Sequence, residues 1–421
     1  MRFIKPQYSH SVGKTKMMKW ILTAVGFLLI FLVAFEVYMT VLRAHKHPGP
    51  VSKKINRWLW WMASNIAHRL SQRVRHLILN SIGPLLLPIL TGVLLIFLLV
   101  GFALIYYPRL PQDFNIISQA EKIDAWREAL YFSGVTLLTI GYGDVTPRTD
   151  FMRLIALLEG VSGIAVISLV ITYLLTVSSA VQLKRVLALS FFHQAKHGAD
   201  VAGFIVHYFR RGKFYGLEEI FRTGTRDIQI LLESHIEHPV IYYFHSYSVY
   251  KSMPRVLFIL LEAANIINTC LDQEEYIYTT DHPEIDTLEE SALQVLNDFI
   301  GALNLELETQ NQIETPQEEL KRRERCFYRT MRELKSAGIK TRIDQQIALA
   351  EYIFGRERWE RQLYRLGYFL GYDWDELTGD NNLQDAVHDN PDELVSPMLE
   401  NTILPDLNNL KKEAEKKSEN A

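Results

Sequence analysis

Three long apolar stretches constrain this chain of 421 residues more than any other feature of its sequence. They cover residues 20–42, 84–107 and 152–177. Each stretch is at least as long as the about 20 helical residues that cross a hydrocarbon core of about 30 Å. The sequence therefore predicts an all-α membrane protein with three membrane helices.

The charge distribution divides the chain into two parts. Residues 1–83 contain 13 Lys and Arg and a single acid, whereas residues 178–421 contain 27 Lys and Arg and 40 acids. A basic, membrane-rich front and an acidic back predict a two-part protein with a soluble C-terminal half. No basic surface is expected away from the membrane, which argues against nucleic-acid binding. The two cysteines, Cys270 and Cys326, lie in the soluble half and indicate a reducing compartment.

Lys and Arg in the short loops predict the orientation of the chain. The loop 43–83 contains eight of them and no acid, and the segment after residue 177 is also basic. We therefore expect both to be cytoplasmic, with residues 108–151 outside. The tail 1–19 would also lie outside, and its five basic residues conflict with the same rule. A re-entrant or interfacial first segment is the alternative, while its length and the lack of an A-x-A pattern argue against a cleaved signal peptide.

Residues 55–79 have the pattern of a basic amphipathic helix. Three tryptophans cluster near its start, and three arginines follow. A helix of this kind lies on the inner leaflet, with its rings in the headgroup layer and its charges toward anionic lipid. We expect the lipid membrane to be a partner of this segment.

The outer loop contains the most specific motif. Residues 126–138 are predicted to form a short helix that dips back into the membrane. The next six residues are Thr139, Ile140, Gly141, Tyr142, Gly143 and Asp144. Rings of backbone carbonyl oxygens can replace the water around a dehydrating K⁺, and an irregular backbone at this depth is tolerated where it lines a pore. Successive carbonyls point the same way only if alternate residues adopt conformations that Gly adopts cheaply, as Gly141 and Gly143 can.

These six residues closely resemble the T-V-G-Y-G-D selectivity filter of potassium channels, with Ile140 in place of Val. The resemblance implies that Thr139, Ile140, Gly141 and Tyr142 supply the oxygens that bind K⁺. Asp144 is expected at the outer mouth, where it raises the local cation concentration. Tyr142 is expected to point away from the ion path and to pack against Tyr131 and Phe132 of the short helix.

The wider pattern resembles a group of bacterial two-span potassium channels with one extra N-terminal helix. The pore reads L-Y-F-S-G-V-T-L-x-T-x-G-Y-G-D from Leu130 to Asp144, and the resemblance covers about residues 20–185. It implies a pore region 84–177, with an outer helix 84–107, a pore helix and filter 126–144 and an inner helix 152–177. It also implies an inner-membrane location and passive K⁺ conduction, without enzymatic chemistry or a cofactor. One chain supplies one filter strand, so four copies are expected to assemble as a homotetramer.

The inner helix contains four candidate gating residues, Gly163, Ile167, Ile171 and Leu175. Gly163 matches the hinge glycine of the family, and close helix packing is an equally good explanation. Ile167, Ile171 and Leu175 share one helix face. They would line the cavity and form an apolar gate, or alternatively face lipid.

Two acids lie inside the predicted spans, where an ionisable residue is costly and indicates a function. Glu159 of the third span is expected to form hydrogen bonds behind the filter. Glu36 of the first span either caps a neighbouring helix or reaches the interface.

Residues 178–379 are predicted to form a helical cytoplasmic domain, and the polar segment 380–421 is expected to be disordered. The apolar run 254–271 is short and contains polar residues, so we interpret it as a core helix and not a fourth span. No G-x-G-x-x-G turn indicates a nucleotide-binding domain. His193 and His197 have the i,i+4 spacing of a metal pair, but a solvated helix face is the stronger interpretation. The sequence thus predicts a pore and leaves the stimulus, ligand and any protein partner of this half open.

Two other functions remain compatible with the sequence. The first is a cation channel of weak selectivity, which the conservative Ile140 substitution disfavours. The second is a membrane-anchored sensing module with a vestigial pore, which the large soluble half would suit. An intact filter argues against this second interpretation.

Overall fold

A computed structural model of the protein describes residues 9–43, 49–117, 124–194, 201–305 and 316–379. These residues are mostly helical. The helices of the N-terminal half are α1 (Ser9–Val37), α2 (Pro50–Ala67), α3 (Gln72–Tyr106), α4 (Ala125–Leu137) and α5 (Asp150–Gln194). Those that follow are α6 (Val201–His207), α7 (Leu217–Glu237), α8 (Met253–Cys270), α9 (Ile277–Thr280), α10 (Pro283–Leu303), α11 (Pro316–Ser336), α12 (Gln345–Glu357), α13 (Glu360–Phe369) and α14 (Trp374–Thr378). Two short antiparallel pairs join β1 (Phe114–Ile116) to β2 (Val145–Pro147) and β3 (Phe209–Arg210) to β4 (Lys213–Phe214).

The chain divides into two compact units. Unit 1 comprises Met1–Leu187, Arg222–Tyr247 and Glu290–Gln312, and unit 2 comprises Ala188–Phe221, Ser248–Glu289 and Ile313–Ala421. The residues expected to form one cytoplasmic domain, 178–379, therefore belong to both units.

Besides α8, three helical segments among the described residues are long and apolar enough to cross a membrane: Met17–Thr40, Gln72–Arg109 and Asp150–Phe191. The predicted amphipathic helix at 55–79 is wrong in its extent, because α2 ends at Ala67 and a turn separates it from α3. The outer helix likewise begins at Gln72 and not at residue 84. It continues through two prolines, which membrane helices tolerate because neighbouring helices and polar side chains satisfy the freed backbone groups.

The inner helix is longer than predicted. α5 is one continuous helix of 45 residues. At 1.5 Å per residue it spans about 68 Å, more than twice the hydrocarbon thickness. Its C-terminal part therefore extends beyond any bilayer that contains its N-terminal part.

Glu36 caps the start of α2, which is one of the two roles predicted for it. Its carboxylate accepts hydrogen bonds from the backbone N–H groups of Val51 (2.9 Å) and Ser52 (2.8 Å), and from the Thr40 hydroxyl (3.2 Å). A carboxylate at a helix N-terminus satisfies donors that have no intrahelical partner and complements the helix dipole. A Cβ on Gly49 would overlap this carboxylate, so the cap requires glycine there.

Helix α8 is the core of unit 2. It is long and apolar enough to cross a membrane, yet nearly all of its side chains are buried inside the protein. Glu262 of this helix binds the Tyr352 hydroxyl and, at 2.9 Å, Nε of Arg356. The Asn265 amide donates to the Tyr352 carbonyl at 3.2 Å. These polar contacts to another helix fit a core helix, as the sequence predicts, and not a span that faces lipid.

Candidate functional site

Local contacts fix the pore helix α4 at its N-terminus and at its middle. The Asp124 carboxylate accepts a hydrogen bond from the Trp126 N–H at 3.1 Å and so caps its N-terminus. Phe132 anchors the middle of the helix, because its ring packs edge-on against Tyr106 and Phe114 at centroid distances of 5.0 and 5.2 Å. The helix therefore holds a fixed position against α3 and directs its C-terminal end toward the filter.

The filter backbone alternates in handedness. Thr139, Gly141 and Gly143 have φ angles of +57°, +64° and +80°. A Cβ built on either glycine meets no atom of the described residues within 4 Å, its two neighbours in the chain aside, so the backbone conformation and not space requires glycine there. The sequence predicts the two glycines, but the left-handed Thr139 has no signal in the sequence. Alternating handedness is the geometry that turns successive carbonyl groups toward one side.

Hydrogen bonds fix both ends of the filter to the pore helix. At the inner end, the Thr139 N–H donates to the Thr136 carbonyl (3.0 Å) and the Ile140 N–H donates to the Val135 carbonyl (2.8 Å). At the outer end, the Tyr131 hydroxyl donates to the Asp144 carboxylate at 2.7 Å. Asp144 is therefore both an acid of the outer mouth and a brace of the filter.

The packing predicted for Tyr142 is not found within one chain. Its side chain is 69% exposed. Phe132 packs against Tyr106 and Phe114, and the Tyr131 hydroxyl is bound to Asp144. The filter residues 139–143 are all exposed in the single chain. The partners that would cover them do not come from the described residues of the same copy.

Glu159 joins three helices behind the pore. It is fully buried in α5. Its carboxylate lies 2.7 Å from the Tyr106 hydroxyl of α3 and 2.5 Å from the Ser133 hydroxyl of α4. The same Ser133 hydroxyl lies 2.9 Å from the Leu99 carbonyl, so its single proton serves one of the two oxygens at a time. These hydrogen bonds fix the pore helix between the outer and inner helices, so Glu159 supports the helix that precedes the filter.

The glycines of the inner helix differ sharply in their surroundings. A Cβ on Gly163 would overlap the carbonyl oxygen of Leu137, the last residue of the pore helix. A Cβ on Gly160 would meet only the Thr136 carbonyl, at 3.9 Å. This contact supports the packing explanation of Gly163, because the glycine lets the inner helix touch the base of the filter.

The gate candidates remain predictions. Ile167, Ile171 and Leu175 are 37%, 55% and 64% exposed in the single chain, as either a cavity lining or a lipid contact would require. His193 and His197, for which a solvated helix face is the stronger interpretation, are not tested, since the His193 side chain and all of His197 lie outside the described residues. The segment 380–421 lies outside them too. Among the residues that are described, no group of three or more His, Cys, Asp or Glu forms a metal site.

Comparison with known proteins agrees with this geometry. A family model described as "Ion channel" matches residues 90–179. The uncharacterized membrane protein YdjJ of Bacillus subtilis (strain 168) is 27% identical over 242 residues, which cover 57% of this chain and 68% of that protein. Protein LctB of Bacillus caldotenax is 31% identical and that of Geobacillus stearothermophilus is 28% identical, each over 120 residues that cover 27% of this chain and 79% of LctB. No solved structure matches the chain significantly.

Proposed function

We propose, from the premise that this chain belongs to the bacterial potassium-channel family, that it forms a K⁺-selective pore. Four copies surround one conduction path, and each contributes the carbonyl oxygens of one filter strand. The carbonyls of Thr139, Ile140, Gly141 and Tyr142, with the Thr139 hydroxyl, replace the water of the permeating ion. Conduction is passive, and K⁺ itself is the only ion or cofactor that the pore requires.

The alternating backbone of the filter is the observation that carries this proposal. Left-handed residues stand at every second position, 139, 141 and 143, which is the alternation expected of a strand whose carbonyl oxygens face one side. The filter follows the pore helix between two apolar helices in the chain, and hydrogen bonds to the pore helix fix both of its ends. A chain without an ion to coordinate has no need of this arrangement, which disfavours a vestigial pore.

Exposed apolar surface supports assembly from several copies. The single chain exposes its filter and a broad apolar face of α5, whose N-terminal half exposes Leu154, Leu157, Leu158, Val161 and Ile164. A filter strand exposed to lipid would leave its backbone groups unsatisfied, at a cost of several kcal/mol each. Closed cyclic symmetry places each strand against the central path and each inner helix against a neighbour.

The proposed location is the inner membrane, with the soluble half in the cytoplasm, as the excess of Lys and Arg in loop 43–83 indicates. Gating is proposed at the inner helices, where Ile167, Ile171 and Leu175 would close the pore by dewetting.

Replacing Gly143 with Ala is expected to abolish K⁺ flux. Alanine at a φ of +80° costs about 1–2 kcal/mol in each copy. A tetramer contains four such residues around one ion path, so this cost disfavours the conducting conformation four times. The measurement is K⁺ flux from liposomes that contain the purified full-length protein.

The size of the assembly in detergent is the control for this variant. A Gly143→Ala protein that keeps the wild-type oligomeric mass and loses its K⁺ flux supports the proposal. Wild-type K⁺ flux in the variant would contradict it, because the ion path would then not run through this filter.

A further inference from the structure

A short segment of unit 1 contacts three of its helices, α2, α3 and α5. It comprises residues 238–245 and includes a 3₁₀ helix, Pro239–Tyr243. It follows α7 in the chain and precedes Ser248, where the chain enters unit 2. We refer to residues 238–245 as the docking segment.

The docking segment packs on the inner helix. Val240 and Ile241 lie in an apolar cluster with Val177 and Val181 of α5. The His238 ring stands edge-on to Tyr173 of α5, with the ring centroids 5.3 Å apart. These contacts bury the cytoplasmic half of α5 against a segment that is distant in sequence.

The contacts lie on the side of α5 opposite the proposed gate. Successive residues of an α-helix are rotated by 100°, so Tyr173 points about 200° away from Ile171 and from Leu175. Val177, two residues after Leu175, also lies on the far side. The docking segment is therefore placed to set the position of the gate residues without entering the ion path.

A buried lysine holds the segment to α5. Lys184 is 5% exposed, and its Nζ donates to the Phe244 carbonyl at 2.8 Å. Burial and then the positive charge of Lys184 lower the pKa of the nearby His235 imidazole to about 3, so this ring is neutral and does not repel the ammonium group. If the segment moved away, the ammonium group would gain water in place of the carbonyl. A docked and a released segment would therefore differ in the group that binds this ammonium.

The docking segment also contacts α2 and α3. Tyr243 packs on Trp60 of α2 at a centroid distance of 5.7 Å. Nε2 of His245 lies 3.0 Å from Nδ1 of His76 in α3. Phe244 fills the space over Gly83 of α3, where an added Cβ would lie 2.8 Å from the Phe244 ring.

We propose that the docking segment couples the cytoplasmic half of the chain to the inner gate by clamping α5 to α2 and α3. The proposal rests on the proposed channel function. When the segment is docked, the inner end of α5 is fixed relative to the outer helix of the same copy. When it is released, α5 is free to change its position and the gate changes with it. A ligand or force acting on the soluble half reaches the pore by shifting this equilibrium.

A reversible disulfide tests whether the segment docks and whether docking matters. A Cβ built on Gly83 lies 3.0 Å from Cα of Phe244, so cysteines at both positions bring their Cβ atoms near the about 3.5–4.5 Å of a disulfide. The native Cys270 and Cys326 are buried and remain in place. The double variant Gly83→Cys with Phe244→Cys is reconstituted at full length, and K⁺ flux is measured after mild oxidation and again after reduction.

We expect the disulfide to form and K⁺ flux to differ at least about fivefold between the oxidised and reduced protein, as a coupling between sites requires. The Phe244→Cys single variant should show no such difference. Failure of the disulfide to form overturns the docking. A disulfide that forms without changing the flux overturns the coupling.

Release of the segment is tested with Lys184→Met. This variant removes the bond to Phe244, and its K⁺ flux should also differ from wild type by at least about fivefold, at an unchanged K⁺/Na⁺ ratio. Arg185→Met, a neutralisation of the exposed neighbour, should behave as wild type. Equal flux in Lys184→Met and wild type contradicts the clamp. If neither the wild type nor any variant shows a K⁺ flux that depends on Gly143, the proposed channel function is wrong and the proposed coupling is wrong with it. The cross-linking result still reports whether the segment docks.

Discussion

Replacing Gly163 with Ala is expected to reduce K⁺ conduction through the open pore by about tenfold or more. The added methyl group overlaps the Leu137 carbonyl oxygen, so the inner helix and the end of the pore helix must separate. Overpacking of this kind typically costs 1–3 kcal/mol, and about 1.4 kcal/mol corresponds to a tenfold effect. Thr139 begins the filter only two residues after Leu137, so the displacement reaches the ion-binding oxygens directly. Single-channel conductance and the K⁺/Na⁺ flux ratio are the quantities to measure.

Gly160→Ala is the matched control, since it adds the same methyl group to the same helix in a site with room for it. The nearest atom would be the Thr136 carbonyl oxygen at 3.9 Å, an ordinary contact distance. It should conduct as wild type. A Gly163→Ala channel with normal conductance and selectivity but fewer openings would contradict the packing role and support the hinge.

Replacing Arg356 with Met is expected to destabilise unit 2 by about 3–5 kcal/mol, because two buried carboxylates, those of Glu262 and Glu360, lose a cation that they share. Arg356 is fully buried and binds Glu262 at 2.9 Å and Glu360 at 3.2 Å. Burial by itself would raise the pKa of Glu360, but the guanidinium groups, first that of Arg356 and then those of Arg322 and Arg323, hold this pKa below its usual range. Loss of Arg356 removes the strongest of these three favourable interactions with Glu360.

The measurement is thermal or denaturant unfolding of the full-length protein in detergent. Trp359 and Trp374, which lie in the same unit, report on the transition through their fluorescence. Arg361→Met is the control, because Arg361 is 65% exposed and pairs with Glu319 at the surface, where ion pairs contribute about 0–1 kcal/mol. Equal unfolding midpoints for the two variants would show that the buried network does not support this unit.

The sequence predicts the pore far better than the rest of the molecule, because the filter depends on local chemistry. Gly141 and Gly143 indicate their own backbone conformation, and the apolar stretches indicate the helices that flank them. The sequence also gives helix capping as one of two possible roles of Glu36, since an acid in a membrane span requires a partner. These features follow from residue type and spacing along a short stretch of chain.

Contacts between distant segments have no such signal. His76 and His245 are separated by 169 positions, and Lys184 and Phe244 by 60. Neither pair forms a periodic pattern. The requirement for glycine at position 163 is similarly invisible, because it depends on a carbonyl group that another helix brings close. The start of α3 differs from the prediction for another reason: the apolar stretch begins at Pro84, whereas the helix begins at Gln72, in the polar sequence before that stretch.

The reversal potential of the purified protein in a planar bilayer tests the central claim most directly. With K⁺ on one side and an equal concentration of Na⁺ on the other, a filter of carbonyl oxygens that selects K⁺ predicts a current that reverses far from zero, toward the K⁺ equilibrium potential. The Gly143→Ala protein should carry no such current. A current that depends on Gly143 but reverses near zero would show a cation pore without K⁺ selectivity and would contradict the account.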